Sequence, residues 1–341
     1  MENKKQTKKY YNEKVINTIE LPFAVGNSFL VYGPPGSGKT SLALYLAEKY
    51  EYHPIITAGK ESMKDLDFLG TWIIQGNEVR FVNGPIVKAF NMAKTGQKVL
   101  FIFDEITRTP SKYLNLFIEI LNDYDPNNWM FYNHLTGETL KAPKENLKFF
   151  ATANIQQIGT YEIPEALVDR FEHIFYVPYP TLEEELKIFE DYKIPPSIAI
   201  SLCKFARLTR RMFEDGELDY PLSTRGLAKL AKNLKAAINL LSEKKEKIDL
   251  LKITQNLLTG TLYSLAGGLS GGFDTEKKVK HLNEVFVKIY LDEKSKENTW
   301  KNEMAAPQEI STESEPETST KSPDKKTKTK QTPPRLRVDT I

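Results

Sequence analysis

Gly33, Pro34, Pro35, Gly36, Ser37, Gly38, Lys39 and Thr40 fill the pattern G-x-x-x-x-G-K-[S/T], which is suited to chemistry on phosphate. Its glycines let the backbone curl tightly and turn N–H groups toward phosphate oxygens. The N-terminus of the helix that follows adds partial positive charge at the same point. Lys39 would reach the β- and γ-phosphates, and the Thr40 hydroxyl would hold Mg²⁺. The flanks have the required character: Phe29-Leu30-Val31-Tyr32 reads as a strand, and Ser41 to Ala47 as a helix. The segment predicts a bound nucleoside triphosphate.

Hydrolysis needs more than binding. Val99-Leu100-Phe101-Ile102-Phe103 is a β-prone apolar run ending in Asp104-Glu105. Asp104 would complete the Mg²⁺ environment, and Glu105 would polarise the attacking water. Another apolar run, Phe149 to Ala153, ends at Asn154, whose amide would hold the water beside the γ-phosphate. Phosphoryl transfer also calls for positive charge where negative charge develops. Arg170 and Arg225 are the candidates, with an ordinary surface arginine as the alternative for each.

These residues need a scaffold. Up to about Pro180 strand-like runs alternate with helical patterns, which predicts an α/β fold with a parallel sheet covered on both faces. Pro54-Ile55-Ile56-Thr57 is a further short strand. Trp72-Ile73-Ile74 and Val79 to Val82 flank Gly76-Asn77 as a hairpin, and Gly84-Pro85 opens a helix stopped by Gly96. Pro110-Ser111 starts a helix with Leu114, Phe117, Ile118 and Leu121 on one face. Phe131-Tyr132 and Lys148 to Ala151 bracket a turn at Thr136-Gly137, a second hairpin leading into a core strand. Beyond Pro180 helices take over. Thr181 and Glu184 form a capping box, and Ser223 or Thr224 caps a helix with Leu227, Leu230, Ala231, Leu234 and Leu241 as its apolar stripe. Gly267 to Gly272 is a glycine loop, and a last helix covers Thr275 to Leu291.

The expected organisation is an extension over 1–19, an α/β nucleotide-binding core over 20–180, a small all-α lid over 181–294 and a disordered tail over 295–341. The tail is Lys, Glu, Ser, Thr and Pro with few apolar residues to offset its ordering entropy, although Pro334 to Ile341 is slightly more apolar and a candidate docking peptide. With 341 residues, 40% hydrophobic and 27% charged, the chain can build a globular core. Cys203 is the only cysteine, so no internal disulfide framework is possible. His53, His134, His173 and His281 lack metal-ligand spacing. No apolar run approaches the roughly 20 residues that span a bilayer, and the Lys-rich first ten residues lack the apolar stretch of a secretory signal. The expectation is a cytoplasmic protein with no membrane association.

The order of motifs resembles the AAA+ ATPases, specifically the MoxR group and its CbbQ/NorQ branch. The stretch Asn154-Ile155-Gln156-Gln157-Ile158-Gly159-Thr160-Tyr161-Glu162-Ile163-Pro164-Glu165-Ala166-Leu167-Val168-Asp169-Arg170-Phe171 carries most of the likeness, with Val82-Asn83-Gly84-Pro85 and Asp104-Glu105-Ile106-Thr107-Arg108. It extends over roughly residues 20 to 240. The resemblance implies that Gly33 to Thr40 is Walker A, Asp104 and Glu105 are Walker B, and Asn154 is sensor 1. It further implies Arg170 as a finger reaching the neighbouring subunit's nucleotide, Arg225 as sensor 2, and Arg108 facing the neighbour's site. The two hairpins lie where the group carries its inserts. ATP with Mg²⁺ and a hexameric ring follow from the resemblance, as does a protein client, with a von Willebrand factor A domain protein as the typical partner.

The expectation is therefore a ring-forming ATPase that remodels a protein partner. Two alternatives stand beside it. One is a nucleic-acid motor, against which the net charge of +2 counts without excluding it. The other is an ATP-dependent scaffold with little turnover, against which Glu105, Asn154 and Arg170 count.

Overall fold

The computed structural model describes residues 9–76, 78–154, 161–244, 249–267 and 273–305. The chain divides into two compact units, Met1–Asn298 and Thr299–Ile341, and only residues 299–305 of the second are described. The tail expected over 295–341 therefore falls mostly outside the described residues, as do Asn77 of the first hairpin turn and 268–272 of the glycine loop.

Five strands form one parallel sheet: β1 (Ser28–Gly33), β2 (His53–Ala58), β5 (Val99–Asp104), β8 (Leu147–Asn154) and β9 (His173–Tyr176). Their order is β2-β5-β8-β1-β9, so the strands bearing the motifs are central neighbours. Successive side chains of a strand point to opposite faces, and in the central strands β5 and β8 both faces are buried. Val99, Phe101 and Phe103 join one core layer, while Leu100 and Ile102 join the other. In β8, Phe149 and Phe150 divide in the same way. This is why these runs are uniformly apolar rather than alternating.

Two helices cover one face, α1 (Glu13–Val25) and α2 (Lys39–Lys49). Asn12 caps α1 through its side chain, and Val15, Ile19 and Phe23 fall on one buried stripe. Helix α1 thus begins within the stretch set apart as an extension, where Pro22 obscures the helical pattern. Its C-terminal carbonyls, Phe23 and Gly26, accept from the buried Lys148 ammonium.

The other face carries α3 (Asp65–Leu69), α4 (Pro85–Lys94), α5 (Asn115–Ile120) and α6 (Glu165–Val168), with two hairpins. Strands β3 (Gly70–Gln75) and β4 (Glu78–Asn83) form the first, with Gln75 opposite Glu78. Strands β6 (Asn128–Asn133) and β7 (Glu138–Pro143) form the second. The Trp72 indole donates to the Leu135 carbonyl at 3.3 Å, tying one hairpin to the other's turn. The helix expected from Pro110 is broken instead. Ser111–Leu114 is a 3₁₀ turn leading into the short α5, and Leu114, Phe117 and Leu121 are buried while Ile118 is half-buried. Neither piece has a side-chain cap to start a longer helix.

Five helices follow: α7 (Leu182–Asp191), α8 (Pro196–Glu214), α9 (Thr224–Glu243), α10 (Leu250–Leu265) and α11 (Phe273–Ala305). The Thr181–Glu184 capping box forms, and Ser223 caps α9 by accepting from the Gly226 N–H. Leu227, Leu230, Ala231 and Leu234 are buried, and Leu241 is half-buried. Helix α11 extends well beyond the expected Leu291, into a charged stretch with no Pro or Gly to stop it. These helices share their own core around Leu202, Phe205, Leu258 and Phe286.

Candidate active site

The phosphate loop runs from the end of β1 to the start of α2 and places Gly33 beside the tip of β8, where Gly33 pairs in register with Asn154. Asp104 ends β5, the next strand over. The sheet thus gathers three sequence-distant segments at one carboxyl edge.

Two hydroxyls hold the Asp104 carboxylate. Thr40 donates to its Oδ1 at 2.6 Å, and Thr152 donates to the same oxygen at 2.7 Å. Thr152 also accepts from the Glu105 N–H at 2.9 Å. Glu105 sits in the left-handed region at φ 54°, which aims its side chain off the strand direction and is uncommon for a residue with a Cβ. Its carboxylate accepts from the Asn154 amide at 3.3 Å and from Arg108 at 3.0 Å. Within this chain, Arg108 therefore faces Glu105.

Lys39 is only 6% exposed and donates to the Gly33 and Pro34 carbonyls at 3.0 and 2.8 Å. Burial pushes its ammonium down to about 8. Asp104 and Glu105 oppose that shift, and Arg225 reinforces it. Arg225 thus sits close enough for its charge to be felt in the loop, and its backbone N–H donates to the Gly36 carbonyl at 3.2 Å.

The loop's chemistry fits a triphosphate. Ser37 is 2% exposed, and its hydroxyl is buried without a partner. Such an orphan in a glycine-rich loop suits an anion's oxygens. For Mg²⁺, Thr40 and Asp104 offer two hard oxygen ligands, the kind of partial protein ligation that Mg²⁺ accepts with phosphates and waters. Among the described residues no group of three or more His, Cys, Asp or Glu side chains could hold a metal.

Arg170 lies apart from this cluster. Its guanidinium donates to the Ala166 carbonyl, Nε is buried without a partner, and it lines a surface concavity with Glu165, Asp169, Phe171 and Ile174. Three residues missed in the sequence also touch the site. Thr152 could have been found as the same-face neighbour of Asn154, two residues earlier on one strand. Tyr179 has its hydroxyl on the Pro35 carbonyl at 2.8 Å, and the Tyr10 ring lies over Gly38. No sequence signal marked those two. No described helix is long and apolar enough to cross a membrane.

The family profile described as AAA domain (dynein-related subfamily) matches residues 28–171. An uncharacterized protein of Staphylococcus aureus (strain NCTC 8325 / PS 47) is 30% identical over 215 residues, covering 60% of this chain and 76% of its own. One from Staphylococcus saprophyticus is 28% identical over 215 residues, covering 61% of this chain and 77% of its own. Among solved structures, a mutant of RuvB from Thermotoga maritima is 17% identical with a TM-score of 0.44, covering 72% of this chain and 69% of that one. A parallel sheet with a phosphate loop at its carboxyl edge, Asp104 ending the next-but-one strand with Glu105 just after it, and a relative of this identity and coverage place the chain in the AAA domain family, dynein-related subfamily, with the P-loop AAA+ fold.

Proposed function

We propose that this protein is a ring-forming ATPase of the MoxR type that couples ATP hydrolysis to the remodelling of a protein partner. One observation carries the hydrolytic part. Glu105 is held by Asn154 at 3.3 Å, next to the Thr40–Asp104 pair at 2.6 Å and the phosphate loop. In this reading the loop amides and Lys39 bind the phosphates, and Thr40 and Asp104 hold Mg²⁺. When bound, Mg²⁺ neutralises charge on the β- and γ-phosphate oxygens. Asn154 and Glu105 orient the water; its oxygen bonds to the γ-phosphorus as the γ-phosphorus–oxygen bond to ADP breaks, and its proton passes to the Glu105 carboxylate. Arg225 adds charge from the helical side. Arg170, remote from its own chain's Lys39–Asp104–Glu105 cluster, supplies charge to a neighbouring subunit's site in a hexamer.

A protein client is supported by the first hairpin, where Ile74, Val79 and Trp72 are 81, 66 and 54% exposed. Apolar surface of this kind suits contact with another protein rather than with a phosphate backbone. The test combines phosphate release from Mg-ATP with capture of partners from native extract on Glu105→Gln loaded with ATP. ATP-dependent recovery of a protein, such as one bearing a von Willebrand factor A domain, supports the reading. Recovery of nuclease-sensitive DNA instead would overturn the client assignment, and absence of phosphate release by the assembled wild type would overturn the enzyme assignment.

A further inference from the structure

A peptide plane points its C=O and its N–H in opposite directions. Fixing a carbonyl from outside a loop therefore aims the next residue's N–H inward. In the phosphate loop, Lys39 holds the carbonyls of Gly33 and Pro34. The residues after those carbonyls are Pro34 and Pro35, which have no N–H to aim. The first N–H group available to an anion is that of Gly36, because the Ser37 N–H turns back to the Pro34 carbonyl at 3.4 Å. The direction of the Gly36 N–H is set by the Pro35 carbonyl, and both that carbonyl and the next one, of Gly36, are held by residues outside the loop. The Tyr179 hydroxyl donates to the Pro35 carbonyl at 2.8 Å, and the Arg225 backbone N–H donates to the Gly36 carbonyl at 3.2 Å.

Both grips lead to one buried ion pair. The Arg210 guanidinium lies 3.9 Å from the centroid of the Tyr179 ring. It donates to both Glu185 oxygens at 2.7 and 3.2 Å, and its Nε donates to the Leu222 carbonyl at 3.0 Å. Glu185 is fully buried and also accepts from the Thr224 hydroxyl at 2.6 Å, in the first turn of α9. Arg225 is the next residue. The fit is close on that side too: a Cβ at Gly36, where φ is +72°, would stand 2.5 Å from the Ser223 hydroxyl. Burial raises the Tyr179 hydroxyl to about 12, so it stays a donor at neutral pH.

We propose that Tyr179 is a positioning residue of the phosphate loop. The Arg210–Glu185 pair holds the Tyr179 ring in place, so the direction of the Gly36 N–H depends on this buried network. The proposal rests on the ATPase reading above. Glu185 and Arg210 bridge α7 and α8, and Thr224 adds α9, so a shift of these helices reaches the Gly36 N–H through the Tyr179 hydroxyl on the Pro35 carbonyl. In the other direction, phosphate bound to that amide holds the Pro35 carbonyl in place for Tyr179.

The test titrates full-length protein with methylanthraniloyl-labelled ATP and Mg²⁺, comparing wild type, Tyr179→Phe, Thr224→Val and Lys39→Ala. Loss of one hydrogen bond predicts affinity about 5- to 10-fold weaker for Tyr179→Phe. KM for ATP should rise by more than kcat falls. Hydrogen exchange supplies a readout that a merely structural role would not move. ATP should protect residues 223–226 in wild type and protect them less in Tyr179→Phe. Wild-type affinity and protection in Tyr179→Phe, with Lys39→Ala deficient, would overturn the proposal while leaving the ATPase reading intact. Undiminished binding by Lys39→Ala would instead overturn the phosphate-loop reading and the proposal with it. Should Tyr179→Phe fail to fold, Thr224→Val carries the same expectation, and wild-type affinity in that variant overturns the proposal.

Discussion

The Thr152 hydroxyl donates to the Asp104 carboxylate at 2.7 Å and accepts from the Glu105 N–H at 2.9 Å, so one side chain on β8 fixes both acidic residues at the end of β5. Thr152 is 1% exposed, which keeps water from substituting for it. Thr152→Val preserves shape but leaves the Glu105 N–H without this partner. It should cost about 1–3 kcal/mol of stability by thermal or denaturant unfolding. The hydrolysis rate should fall with it, and Thr152→Ser should restore most of the loss. A Thr152→Val enzyme with wild-type rate and stability would show that the hydroxyl orients neither acid.

Glu105→Gln removes the carboxylate proposed to accept the water's proton but keeps an oxygen for the Asn154 amide. ATP affinity should remain within about threefold of wild type while turnover falls by about 100-fold or more, in line with the loss of a general base. Single-turnover phosphate release with bound ATP separates the two. Turnover retained within a few-fold would remove Glu105 from the role of base.

Arg170→Ala should bind ATP normally and hydrolyse it about 10³-fold more slowly, the scale associated with an arginine finger. Lys39→Ala should be inactive for want of binding. Mixing the two should recover activity, because a mixed interface can pair an intact loop with an intact Arg170. Mixed rings verified by native mass spectrometry yet wholly inactive would rule out action between subunits.

Burial pushes the Lys148 ammonium down to about 8 from the ordinary 10.5. Glu172 opposes the shift and Lys98 adds to it. Between those values the unfolded chain holds a proton that the folded chain has released, so stability rises with pH across that window. Lys148→Met lacks the titration. After allowance for solvent screening, wild type should gain about 1–2 kcal/mol on the variant between pH 8 and pH 10 in denaturant unfolding. A constant difference across that range would assign the carbonyl contacts at the end of α1 to an ordinary charged lysine.

The phosphate loop and the Asp104-Glu105 strand were legible because each is a contiguous run with its chemistry and its scaffold written side by side. Asn154 was legible as the polar end of an apolar strand. Thr152 was not, because a threonine within such a strand looks like any β-branched residue until β5 lies next to it. Tyr179 and Arg210 were invisible for a related reason. Their partners Pro35 and Glu185 are remote in sequence, and nothing local distinguishes a tyrosine between two prolines or an arginine in an amphipathic helix. The helix expected from Pro110 is broken into a 3₁₀ turn and the short α5, because an apolar face does not suffice where no side chain caps the start. Helix α1 was passed over because Pro22 interrupts its pattern, although the stripe of Val15, Ile19 and Phe23 was there to be read.

The strand order has a consequence for how the molecule comes into being. Among the described residues, strand β1, which leads into the phosphate loop, has β8 and β9 as its strand neighbours, both made more than a hundred residues later. As the chain leaves the ribosome, the loop is synthesised early but stays without either lateral neighbour until Asn154 and then Tyr176 have emerged. Pairings of such long range form slowly, and the unpaired Phe29 and Val31 are sticky meanwhile. The loop therefore takes its final place only once the sheet has closed around β1, and the growing polypeptide passes the whole stretch from Gly33 to Tyr176 with that strand lacking one or both neighbours.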